Sequence, residues 1–206
     1  MERAARIEQV LTYWFGELSG PTDVDRSKNE LWWEGGEAVD ADIRERFGDL
    51  VGAACAGDLS GWTREPRGAL ALVILLDQFT RNVHRGTAEA FSGDARAVSI
   101  VDAAIASGHD RQLRFIERAF LYMPLMHAED RVTAERSLAV FGALSSEISA
   151  LGAELPDFVS SATQHADIVR QFGRYPHRNE LLGRSTTDEE RAFLDGGGPT
   201  FGQKKS

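Results

Sequence analysis

The sequence predicts an all-α fold built as a stack of antiparallel helical hairpins. Three observations carry this. Apolar residues recur at helical spacing along nearly the whole chain, and strand-like alternation does not occur. The longest apolar run, at 69–76, has a buried strand as its alternative reading, but no second strand candidate exists to pair with it. Asp94 and Asp130, each opening a pair of helical stripes, lie roughly 36 residues apart. That is close to the ~34-residue helix–turn–helix period of tetratricopeptide repeats. The repeat consensus is not visible, so the likeness is one of geometry.

The elements follow in order. Ile7, Val10, Leu11, Trp14 and Phe15 keep the i, i+3, i+4, i+7 pattern of one helix face, with Gly16 as its stop. A polar loop follows, and Trp32 and Trp33 anchor its far end against the core. Val39, Ile43, Phe47, Leu50, Val51 and Ala54 form the next stripe, ending near Gly57. Pro66 suits the first turn of a helix. ALALVILLDQF is apolar nearly all round, as expected of the central buried helix. Ala97, Val98, Val101, Ala104 and Ile105 follow, with Gly108 as stop. Leu113, Ile116 and Phe120 make another stripe, which Pro124 is expected to end. Val132, Leu138, Phe141, Leu144 and Ile148 continue the series. Pro156 is expected to open the helix bearing Val159, Ala162, Ala166, Val169 and Phe172, which Gly173 closes. Thr187 and Glu190 read as a capping box for a last short helix. The expected organisation is a single all-α domain over 1–198 and a flexible tail over 199–206.

Composition narrows the function classes. The chain has 206 residues, a formal charge of −9, and 32 acidic against 23 basic side chains, of which only Lys28, Lys204 and Lys205 are lysines. No apolar run approaches the ~18 residues of a membrane span, and the N-terminus has no signal-peptide core. Cys55 is the only cysteine, which excludes disulfide frameworks and cysteine-rich zinc sites. Cytoplasmic residence is the expectation. Net acidity without a basic stripe argues against nucleic acid as a partner.

Helical packing leaves four polar segments poorly explained. In the first, Asp77 and Arg81 stand at i and i+4 on one face, beside Asn82. They form a local ion pair or a ligand contact at Arg81 oriented by Asp77. In the second, Asp94 or Ser92 reads as the N-cap of the next helix. In the third, Glu129 and Asp130 are accounted for as acids at a helix start, whereas His127 has no structural account. Neither a deaminase-type cysteine pair nor His-Glu-x-x-His accompanies it. A metal site from His127, His165 and His177 is unsupported by spacing, so no metal or cofactor is expected. The fourth segment is densest. Arg170, Arg174, Arg178 and Arg184 gather around His165, His177 and Asn179, with only Asp167 and Glu180 among them. Such a loop is either a structural network with acids such as Asp77, Asp94, Glu129 and Asp130, or an anion pocket.

These segments together resemble a mainly bacterial family catalogued as domain of unknown function 924. The matching stretches are WF at 14–15, WW at 32–33, LLDQFTRN at 75–82, AFSGD at 90–94, YMPLMHAED at 122–130 and HADIVRQFGRYPHRNELLGRSTTDEERAFL at 165–194. Thr80 stands where the family often has proline. The resemblance implies a helical, tetratricopeptide-like fold and no particular activity.

Three functions remain in view. The first is a binder of a small anionic ligand or acidic peptide through Arg81, Asn82, Arg174, His177, Arg178 and Asn179. The second is a hydrolase or transferase in which His127 or His165 acts as general acid or base, oriented by Glu129 or Asp77, with arginines stabilising developing charge. The third is a purely structural network.

Overall fold

The computed structural model describes residues 2–202, and these contain helices, turns and loops but no strand. The described residues form nine α-helices: α1 (Glu2–Phe15), α2 (Glu37–Ala56), α3 (Pro66–Val73), α4 (Thr80–Val83), α5 (Asp94–Ser107), α6 (Phe115–His127), α7 (Arg131–Ser149), α8 (Phe158–Phe172) and α9 (Asp188–Asp195). Helix α5 packs on α6, α6 on α7, and α7 on α8. These are the two hairpins that the Asp94–Asp130 spacing predicts. No described helix is long and apolar enough to cross a membrane.

The predicted stripes are the buried faces, except that Val132, expected in the stripe of α7, is 71% exposed. Ile7, Val10, Leu11, Trp14 and Phe15 of α1 meet Ile43, Phe47 and Val51 of α2 in one core that extends to Phe158 of α8. Each such side chain contributes ~1.5–3 kcal/mol by leaving water. Trp32 donates its indole N–H to the Trp14 carbonyl at 2.9 Å, which fixes the loop before α2. Its neighbour Trp33 stays 48% exposed.

The central helix carries a feature that the apolar pattern does not encode. Between α3 and α4, residues Ile74–Phe79 wind as a π-helix, so the rod is continuous but locally widened. The Thr80 hydroxyl donates to the Leu75 carbonyl at 2.7 Å, supplying a bond within the widened turn. Such turns are frequent at functional sites, and this one carries Asp77. Gly93 lets another element approach it. A Cβ on Gly93 would lie 2.2 Å from the Leu76 carbonyl oxygen, so only glycine fits where α5 begins.

Three expected boundaries are corrected. Pro124 does not end α6 but lies inside it. A proline there costs ~3 kcal/mol in an exposed helix. Here residues 116–127 are all buried, and that packing outweighs the lost hydrogen bond. Helix α8 begins at Phe158 rather than Pro156, because the Asp157 carboxylate accepts the Ser160 N–H at 2.9 Å and caps it. Neither Asp94 nor Ser92 caps α5. The cap residue is Gly93, without a side-chain bond, and Asp94 is the first helical residue. By contrast, Asp130 caps α7 through the Thr133 N–H, and Thr187 with Glu190 forms the capping box of α9. Part of the expected tail, Gln203–Ser206, lies outside the described residues. Within the described part, Phe201 stacks on His165 with ring centroids 3.9 Å apart.

Candidate functional site

The π-turn, the last turn of α6, the middle of α8 and the loop after α8 converge on one cavity of about 350 Å³. Its polar wall comes from Gln78, Arg81, His127, His165, His177 and Arg178. Its apolar wall comes from Trp32, Trp33, Met123, Met126, Phe158 and Phe201.

Asp77 sits behind this wall with no exposed surface. Its Oδ1 is 2.7 Å from His127 Nδ1 and 3.0 Å from Arg81 Nη1, and its Oδ2 accepts the Gln78 amide at 2.5 Å. Burial alone would push its carboxyl upward, but Arg81 and His127 outweigh that and hold it well below the usual carboxylate range. An ionised Asp77 accepts the His127 Nδ1–H. That leaves Nε2 of the ring as the basic atom, the tautomer a general base requires.

Two arginines share a second carboxylate. Asp94 Oδ1 is 2.9 Å from Arg81 Nη2, and Asp94 Oδ2 is 3.1 Å from Arg178 Nη1. The first-turn position that looked like a cap therefore serves the cavity. The Arg178 guanidinium lies between the rings of Phe91 and Tyr175, each centroid 4.5 Å away. This flat, stacked setting suits arginine rather than lysine. Arg178 is buried, and its Nε has no hydrogen-bond partner among the described residues. An unsatisfied buried donor costs ~1–3 kcal/mol, more for a charged group. Burial depresses its affinity for the proton relative to an ordinary guanidinium, against the pull of Asp94.

The other two histidines are held neutral. His165 Nδ1 lies 2.7 Å from the Ser161 carbonyl and donates to it. Burial, with the nearby His127 as a smaller cause, lowers His165 to about 3. Burial and then the neighbouring Arg178 lower His177 to about 3. The His127 and His165 rings are 5.6 Å apart.

The arginine-rich loop divides into two sets. Arg178 enters the cavity. Arg184 instead grips Glu129 with two bonds of 2.6 and 2.9 Å, and Glu129 also accepts the Tyr175 N–H at 2.7 Å. Arg174 pairs with Glu190 through two bonds of 2.6 and 2.9 Å, and Asn179 donates to Glu190 and accepts from Arg184. Arg174, Asn179 and Glu129 therefore staple the loop to α9 and the α6–α7 junction, away from the cavity wall. Asn82 is also apart, donating to Asp40 at 2.8 Å. Among the singled-out residues, the structure brings together Asp77, Arg81, His127, His165, His177 and Arg178. The reading of residues alone missed Gln78, Trp33, Phe158 and Phe201. Trp33 and Phe158 look like core rings, and Phe201 falls in the segment expected to be a flexible tail.

A hollow of about 370 Å³ beside α1 is also charged, but its Arg67, Arg114, Glu8 and Glu117 pair with one another.

A family model described as a bacterial protein of unknown function (DUF924) matches residues 10–198. The chain is also similar to a protein of unknown function from Agrobacterium tumefaciens whose structure is solved. The two are 34% identical, with a TM-score of 0.79, over 94% of this chain and 98% of that one. No curated protein matches the chain.

Proposed function

We propose that this chain, which belongs to the bacterial DUF924 family, binds a small organic anion in the cavity lined by Arg81, Arg178 and His127. The observation that carries this reading is the Arg178 guanidinium, buried between two rings and with its Nε unsatisfied. A ligand oxygen at that atom would complete it. The volume of about 350 Å³ lies at the small end of ligand pockets, ~300–1,000 Å³, and favours a single small molecule over an acidic peptide. Trp33 and Phe158 supply an apolar surface for the body of the ligand.

A second reading, an enzyme acting on that anion, is favoured by the Asp77–His127 pair alone. His127 Nε2 is then the general base, Asp77 the group that orients it, and the arginines the stabilisers of negative charge.

Trp32 and Trp33 both line the cavity, so tryptophan fluorescence reports on it. Titration with 4-nitrobenzoate should quench the emission in a saturable way. Arg178→Gln should weaken that binding at least tenfold, about 1.4 kcal/mol, with the circular dichroism of the folded protein retained. Unsaturable quenching, identical in the variant, would remove the binding reading.

A further inference from the structure

Among the described residues the charges around the cavity balance. Arg81 and Arg178 face Asp77 and Asp94, and every one of the four lies within 3.1 Å of an opposite partner. The other described groups packed around His127 add no charge. His165 from α8 and His177 from the loop are neutral. Glu129 is occupied by Arg184, and the Tyr175 hydroxyl donates to the Met126 carbonyl. With a neutral His127 the described residues of the wall carry no net charge. An anion brought into such a site is buried without compensation, which is costly in a medium of low polarity.

One group can restore the balance. His127 alone among the three lining histidines holds a carboxylate on Nδ1. His165 spends its Nδ1 on a neutral carbonyl. Asp77, fully buried, is placed to stabilise an imidazolium in the way that a buried carboxylate does in catalytic pairs. We infer that the ligand is an aromatic or aliphatic acid carrying a single negative charge, bound against Arg178 together with one proton taken up at His127. This rests on the reading of the cavity as an anion site. It adds the charge of the ligand and the coupling to pH. A dianion, such as a phosphate monoester, leaves one charge uncompensated, whereas Trp33 and Phe158 accommodate an apolar ring.

Calorimetric titration of the full chain with benzoate between pH 6 and 9 tests this, since benzoate stays a monoanion throughout. One proton bound with the ligand makes the affinity fall about tenfold per pH unit on the alkaline limb. Phenylphosphate, a dianion at pH 8, should bind at least tenfold more weakly than benzoate at that pH. His127→Gln should flatten the benzoate profile. Benzoate affinity independent of pH over the whole range, or phenylphosphate binding as tightly as benzoate, overturns the inference and leaves the anion site standing. Absence of binding by both probes at every pH overturns the anion site itself. The wild-type profile decides the matter even if the variant fails to fold.

Discussion

Replacing Asp77 by asparagine removes one charge from the centre of the network and almost nothing else. The side chain has no exposed surface and three partners, His127 at 2.7 Å, Arg81 at 3.0 Å and Gln78 at 2.5 Å. Breaking a buried ion pair by neutralising one side costs ~3–5 kcal/mol, because the remaining charge is left in the interior. Two features push Asp77→Asn to the low end. Arg81 keeps Asp94 at 2.9 Å, and the amide oxygen can still accept one bond. The expected loss is therefore about 3 kcal/mol. At ~2–4 °C per kcal/mol for a chain of this size, the melting temperature should fall by about 6–12 °C. Urea unfolding monitored by tryptophan fluorescence measures the same quantity, with an unchanged m-value showing that the native state is intact. Combining Asp77→Asn with His127→Gln should cost less than the sum of the two, since each removes the partner of the other. A loss below about 1 kcal/mol with strict additivity would mean that the carboxylate is not ionised and paired as described.

Further outcomes follow from the same geometry. His165 and His177, at about 3 when folded against 6.5 when unfolded, bind fewer protons in the native state. Their stability is complete above pH 6.5 and declines as pH falls towards 3. Between pH 8 and 5 each should cost roughly 2 kcal/mol, a loss that His165→Gln and His177→Gln together should largely abolish in pH-dependent urea unfolding. Arg184→Met should lower stability by about 1–2 kcal/mol, and a double-mutant cycle with Glu129→Gln should show coupling; no coupling would mean that the loop is held by other contacts. Gly93→Ala should cost about 1–3 kcal/mol by forcing α5 off the Leu76 carbonyl, whereas a neutral result in thermal unfolding would mean that the two elements slide apart freely.

The helices were legible because burial imposes a 3.6-residue period, and α1 shows this residue by residue. The capping box at Thr187 was legible because it needs only a local pattern. The π-turn was not, because Ile74, Leu75 and Leu76 are apolar on every side and hide a change of winding. Asp94 misled for a related reason. An acid at a helix start satisfies local capping rules, and only the distant Arg81 and Arg178 reveal its use. Of the four arginines around the C-terminal loop, composition marked the region without sorting its members. The turn at Pro176–Arg178 sends Arg178 inward, while Arg174 and Arg184 meet Glu190 and Glu129, partners separated from them by 16 and 55 positions. Trp33 and Phe158 stayed unseen because a cavity-lining ring and a core ring look the same in sequence.

On the proposed reading, the cavity at Arg178 and His127 receives an organic anion. A crystal structure of the wild-type protein grown with benzoate tests it most directly. A carboxylate should lie within hydrogen-bond distance of Arg178 and His127 Nε2, with the ring beside Trp33 and Phe158. An empty cavity at saturating benzoate, or benzoate with its ring towards Arg178 and its carboxylate in solvent, would contradict it.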